Sequence, residues 1–282
     1  APLPEGLVEA LQEALRYEAP SVMELVAVGD IMLARLVGER IAQKGTHYPF
    51  EGEGIQPLLS GADIAFGNLE CPISTRGIRQ DKGIEFRAAP AVVEGLTYAG
   101  FDILSLANNH TGDYGDEALL DTLTHLDGAG ILAVGAGETI TSAHQLQVVE
   151  ANGLRVGFLA YNEIPPRWFA AKGNNPGSAF TDDLGDLRTA VAQARKEADV
   201  VIVSYHWGVE YTPYPTSDQR AIARALAEAG ADLIIGHHPH VVQGVGYYSD
   251  AFVAFSLGNF IFDQEFSTET QEGLILRCLL DR

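Results

Sequence analysis

The segment Gly236-His237-His238-Pro239-His240 places three imidazoles directly after the apolar run Ala231-Asp232-Leu233-Ile234-Ile235. Imidazole is the commonest side-chain ligand for transition metals, and two imidazoles spaced i, i+2 on extended backbone point to one side and converge on one cation. A histidine-rich surface turn is the other reading of this pentapeptide. Four further apolar runs, however, also end in residues that bind metal. Asp30 follows residues 25–29, Asn68 and Glu70 follow 64–67, Asn109 and His110 follow 103–107, and His206 follows 200–205.

If these runs are strands of a parallel sheet, their ends lie along one edge, where open α/β sheets hold ligands. Asp30, Glu70, Asn109, His206, His238 and His240 can then meet despite their wide separation in sequence. Carboxylate, amide oxygen and imidazole together suit Mn, Fe or Zn, as one ion or two, better than Ca or Mg, which prefer oxygen alone. Each residue also has a plainer reading. Asp30 can cap a helix, Asn109 can occupy a left-handed turn, and His206 beside Trp207 can be a packed core histidine. Their combination favours the metal site.

The elements needed to position these groups are legible as a βαβ rhythm. Strand-like runs at 25–29, 63–67, 102–107, 131–134, 200–205 and 232–236 alternate with helical patterns at 91–99, 117–130, 187–197 and 217–230. Runs at 145–150, 154–161, 241–248, 252–257 and 273–280 follow one another with short turns, so antiparallel pairing is expected there. Residues 164–183, rich in Pro, Gly and Asn, read as a loop or lid. Residues 256–263 are ambiguous: Asn259 and Asp263 either line the site or belong to a strand and tight turn. Residues 1–21 alternate apolar and acidic positions up to Pro20, which predicts an amphipathic helical appendage.

Of 282 residues, 46% are hydrophobic and 20% charged, a balance that supports a buried core rather than disorder. The formal charge of −20 argues against a nucleic-acid partner, and an anionic substrate would need local positive charge of the kind divalent cations supply. The only two cysteines, Cys71 and Cys278, leave disulfide pairing open. No apolar stretch reaches the length of a membrane span. The first residue is Ala1 rather than Met, as expected of a processed or trimmed amino terminus, from which an export signal or anchor could have been removed.

Six segments in order, Gly29-Asp30-Ile31-Met32-Leu33, Gly67-Asn68-Leu69-Glu70, Ala107-Asn108-Asn109-His110, His206-Trp207-Gly208, Gly236-His237-His238-Pro239-His240 and Ser256-Leu257-Gly258-Asn259-Phe260, carry a resemblance. They resemble the calcineurin-like metallophosphoesterases and, more narrowly, the bacterial capsule-synthesis CapA family, associated with poly-γ-glutamate production. The resemblance covers residues 24–265. It implies an α/β, four-layer α/β/β/α sandwich with two mixed sheets flanked by helices, as one domain over residues 23–282 behind an appendage of residues 1–22.

The resemblance also implies roles. Asp30, Glu70, Asn109, His206, His238 and His240 would be metal ligands, with Asn68 and His237 just behind them. His110 would approach the leaving group, oriented by Asp113, and Arg76 and Arg87 would steer an anionic substrate unless they form surface salt bridges. The chain departs from the superfamily pattern at three places. Met32 stands where a histidine ligand is usual, Asn68 where the bridging aspartate is usual, and Thr111 where an acidic residue usually follows the histidine. The implied activity is attack of a metal-activated water on a phosphate ester in polyglutamate capsule synthesis. The alternatives are a polymer-binding or scaffolding subunit of a membrane synthesis and export complex, and a metal-dependent amidase acting on the polymer. A bacterial, extracytoplasmic or membrane-associated setting is expected.

Overall fold

Strand β1 (Met23–Ile31) shows why this chain builds layers, because both of its faces are apolar and each packs against something different. Met23, Leu25 and Ala27 point to one core, Val26 and Val28 to another, with the period of two that extended backbone imposes. The computed structural model describes residues 22–181 and 183–281, so the appendage expected over 1–21 lies outside the described residues.

In chain order, β1 is followed by β2 (Ile64–Leu69), β3 (Ile103–Ser105), β4 (Leu132–Val134) and the short β5 (Ala136–Gly137). Then come β6 (Gln147–Ala151), β7 (Leu154–Asn162), the short β8 (Gly177–Ser178), β9 (Val200–His206) and β10 (Leu233–His237). The chain closes with β11 (Val245–Tyr248), β12 (Ala251–Ala254), β13 (Asn259–Ile261) and β14 (Leu276–Leu280). One six-stranded sheet runs β13-β1-β2-β3-β4 in parallel, with β14 antiparallel to β1 on the same flank as β13. The other runs β11-β12-β10-β9-β7-β6, with four parallel central strands and antiparallel edges.

Three cores separate four layers. Leu25, Phe66, Ile103, Phe158, Ile202 and Ile235 pack between the sheets. Outside the first sheet, Val26 and Leu104 meet Leu96 of the helix Val92–Ala99 and Leu119 of the helix Gly115–Gly128. Outside the second, Val201, Val203 and Ile234 meet Val191 of the helix Leu184–Glu197 and Leu226 of the helix Ser217–Ala229. The fold is the α/β/β/α sandwich that the resemblance implied.

Antiparallel pairing of the later segments holds for β6 with β7, β11 with β12 and β14 with β1. It fails for the other sides of two of these strands, because β7 is parallel to β9 and β12 to β10. The β11–β12 hairpin reverses the chain after the histidine turn, which returns β12 to the direction of β10. Part of the 164–183 loop is packed rather than free: Phe169 is buried against Gly112, where an added Cβ would lie 2.1 Å from its ring. Cys71 and Cys278 are free thiols. Among the described residues, no helix is long and apolar enough to cross a membrane.

Candidate metal centre

The carboxyl ends of β1, β2, β9 and β10 meet where the two sheets abut, and each delivers one or two polar side chains into an otherwise apolar interior. Asp30 sits opposite Asn68 of β2 and Asn259 of β13 in strand register, and His206 sits opposite His237. Close approach at this edge depends on Gly29, where a Cβ would lie 1.9 Å from the Gly258 carbonyl oxygen. Asp30 N donates to that same oxygen at 3.0 Å, which brings Asn259 beside the site. The histidine turn is unusual backbone, with φ of +98° at His238 and +57° at His240. Left-handed conformations at non-glycine residues cost about 1–3 kcal/mol each and cluster at functional sites.

Glu70 is at the centre. It is fully buried and neither carboxylate oxygen has a hydrogen-bond partner. His206 Nε2, His240 Nε2 and His110 Nε2 surround its Oε1 at 3.7, 3.8 and 3.9 Å. These separations exceed hydrogen bonds and are of the order expected between ligands sharing one cation, about 3–4 Å for bonds near 2.1 Å. Ligand-capable atoms of Glu70, His206 and His238 lie within 4.8 Å of one another, as do those of Asp30, Glu70 and His240. A buried carboxylate without donors is costly unless a cation answers it, so the residues present fit a divalent metal.

The remaining contacts set orientation. Asn68 Nδ2 donates to Asp30 Oδ1 at 2.8 Å, and Asn68 Oδ1 accepts from Asn108 Nδ2 at 3.1 Å, so Asn68 ties two strand ends together. Asn109 Oδ1 lies 2.8 Å from His206 Nε2. His240 Nδ1 lies 3.3 Å from Asp30 Oδ2 and 3.0 Å from Asn259 Oδ1, while His237 Nδ1 lies 3.4 Å from Asp30 Oδ1. His110 Nδ1 is 2.7 Å from Asp113 Oδ2, and Phe86 stacks on the His110 ring at 4.0 Å. Asp113 is in turn held by Lys82 Nζ at 2.6 Å and by Phe86 N at 2.6 Å.

Burial and mutual charge pull these groups apart in proton affinity. Burial raises Asp30, but the hydrogen bonds and charges of His237 and His240 outweigh it and hold Asp30 well below the usual carboxylate range. Burial, reinforced by the Asp30 charge, holds Glu70 well above it. Burial and the neighbouring His238 keep His206 low, and burial with His240 takes His238 down to about 3. His240 goes the other way: burial lowers it, yet Glu70 and Asp30 lift it to about 9. His206 and His238 are therefore already in the neutral form that binds metal, whereas His240 must give up a proton.

Asp30, Glu70, Asn109, His110, Asp113, His206, His237, His238, His240 and Asn68 thus come together. Arg76 and Arg87 do not touch this cluster in their recorded contacts: Arg76 pairs with Glu117 at 3.4 Å, and Arg87 stacks on Tyr114 at 4.1 Å. Lys82 and Glu210 were not among the sequence candidates for the site, and the sequence leaves Asn259 undecided between lining it and forming a strand and tight turn. Lys82 carries no motif, being one lysine in a loop, and Asn259 became interpretable only once β13 was seen beside β1.

Two sheets face to face between helices, with carboxylates, amides and imidazoles gathered at their strand ends, define a metallophosphoesterase-like fold. The chain belongs to the family of bacterial capsule synthesis proteins PGA_cap, whose profile matches residues 24–264. It is 35% identical over 257 residues to the PGA biosynthesis protein CapA of Bacillus subtilis, covering 90% of this chain and 67% of that protein. It is 35% identical over 274 residues to the capsule biosynthesis protein CapA of Bacillus anthracis, covering 95% of this chain and 66% of that protein. The chain therefore spans about two thirds of the length of these relatives. A solved Staphylococcus aureus structure, provisionally named a 5′-nucleotidase, shares the fold with TM-score 0.51 and 14% identity over 83% of this chain and 48% of that one.

Proposed function

We propose that this chain is a metal-dependent hydrolase of the CapA type that serves poly-γ-glutamate capsule synthesis and cleaves a phosphate ester. The observation that carries the reading is Glu70, a fully buried carboxylate with no hydrogen-bond donor, ringed by the Nε2 atoms of three histidines. Asp30, Glu70, Asn109, His206, His238 and His240 would hold one or two ions of Mn, Fe or Zn. Such an ion supplies Lewis-acid polarisation of an ester oxygen and acidifies water near neutral pH.

The protein's own groups do the rest. His110 presents Nε2 toward Glu70 and keeps Nδ1 on Asp113, which fixes the ring for proton donation to a leaving oxygen. Burial lowers the His110 pKa while Asp113 opposes that shift. An anionic substrate arriving at Nε2 adds a second counter-charge that favours the protonated ring. Lys82, on Asp113 and on the Asn109 carbonyl, puts positive charge beside the site of a strongly acidic chain.

Met32 favours a second reading, the polymer-binding or scaffolding subunit of a membrane synthase complex. Its side chain is fully buried in the outer core and its sulfur accepts from Ala34 N at 3.2 Å, so it brings no ligand to the site. Incubation of metal-loaded protein with phosphate esters and with poly-γ-glutamate separates the readings. Release of phosphate that stops in a His110→Ala variant supports the phosphoesterase. Shortening of the polymer without phosphate release supports an amidase, and polymer binding with neither reaction supports the scaffold.

A further inference from the structure

We infer that Glu210 is a metal ligand of this site, a carboxylate on its solvent side that completes a ligand set with His238 and His240. The inference rests on reading the Glu70 cluster as a metal centre. Glu210 lies outside the six segments that pointed to the site, four residues beyond His206, and it is exposed while the cluster beneath it is buried.

Three observations support it. A carboxylate oxygen of Glu210 and a ring nitrogen from each of His238 and His240 lie within 4.8 Å of one another, which makes a third ligand triangle besides the two containing Glu70. His238 Nδ1 is buried without a hydrogen-bond partner, so this histidine has an unanswered nitrogen. The backbone that carries Glu210 is fixed to the histidine turn: Tyr211 N donates to the Pro239 carbonyl at 2.8 Å, and Tyr211 holds a left-handed φ of +59°. A strained residue tied to the turn that bears both histidines holds the backbone of the neighbouring Glu210 at the mouth of the site.

The chemistry fits the gap. His238 and His240 alone give two ligating residues on that side, and Glu210 brings the number to three, the complement of a catalytic ion that keeps an open position. A carboxylate added there also makes the site richer in oxygen, which suits Mn.

The test is titration of Mn2+ into the chelator-stripped protein by calorimetry, for the parent chain, Glu210→Gln, Glu228→Gln as an exposed carboxylate control, and the His238→Ala, His240→Ala double variant. Glu210→Gln is expected to weaken at least one Mn2+ site tenfold or more, with unchanged melting of the metal-free protein. Glu228→Gln, which loses only a surface contact to Arg188, is expected to bind as the parent does. Parent-like binding by Glu210→Gln, alongside loss in the double variant, overturns the role of Glu210 and leaves the metal centre standing. No binding by the parent chain overturns both.

Discussion

Glu70 Oε1 and His206 Nε2 stand 3.7 Å apart, one at the end of β2 and the other at the end of β9, so the contact joins the two sheets. Each sheet alone would expose its half of the cluster. Face-to-face packing buries both halves and leaves the carboxylate without a donor. The metal-free fold therefore carries an electrostatic cost that a divalent cation would remove.

That cost has a sign that can be measured. Glu70→Gln replaces a buried unpaired carboxyl by a neutral amide, and the metal-free variant is expected to be more stable than the parent by about 1–3 kcal/mol. The same variant is expected to lose the rise in melting temperature that added metal gives the parent. Thermal melts with and without metal check both halves. Destabilisation without metal, coupled with a full metal-induced rise, contradicts the account.

His110→Ala is expected to lower turnover of a phosphate ester by about 10²–10⁴-fold, the range for a lost general acid. Metal content should not change. Kinetics and elemental analysis on one preparation check this, and parent-like turnover removes His110 from the chemistry.

Lys82→Met leaves Asp113 buried without its ammonium partner. Breaking a buried pair from one side costs about 3–5 kcal/mol, so the variant should unfold at clearly lower denaturant concentration. Lys82→Met, Asp113→Asn removes the charge from both sides and is expected to recover part of the loss. Equal stability of the parent and Lys82→Met would show the pair to be inert.

The pH dependence follows from His240, lifted from the ordinary imidazole value of 6.5 to about 9. A raised folded-state pKa stabilises the metal-free fold fully below about 6.5, and that contribution is lost as pH rises through about 9. Metal requires the deprotonated ring, so affinity should climb as pH rises toward 9, and binding at pH 7 should release protons. Glu70, held high by burial, adds to the release in the same direction. Calorimetric titrations in buffers of different ionisation enthalpy count the protons. Uptake on binding would be incompatible with these shifts.

The strand ends were readable because each is a short apolar run stopping at a polar residue, and the sheets convert that stop into position. Asp30, Glu70, Asn109, His206, His238 and His240 all reach the cluster by this rule. The helix Arg35–Lys44 was not foreseen: only Val37 and Ile41 of it are buried, and the rest of the segment is largely polar or charged. The parallel course of β13 was hidden too, because this three-residue strand pairs with β1 from the opposite end of the chain and nothing local sets its direction. Lys82 shows the same limit: its partners Asp113 and Asn109 lie 27 or more residues away along the chain, and a lone lysine in a loop announces no such contact.

Metal content of protein purified without added metal, beside a His238→Ala, His240→Ala double variant, tests the centre most directly. Elemental mass spectrometry should find about two equivalents of Mn, Fe or Zn in the parent, the complement of a two-ion hydrolase, and a large loss in the variant. Close to none in both proteins, even after metal is supplied, would contradict the account and leave the polymer-binding reading in its place.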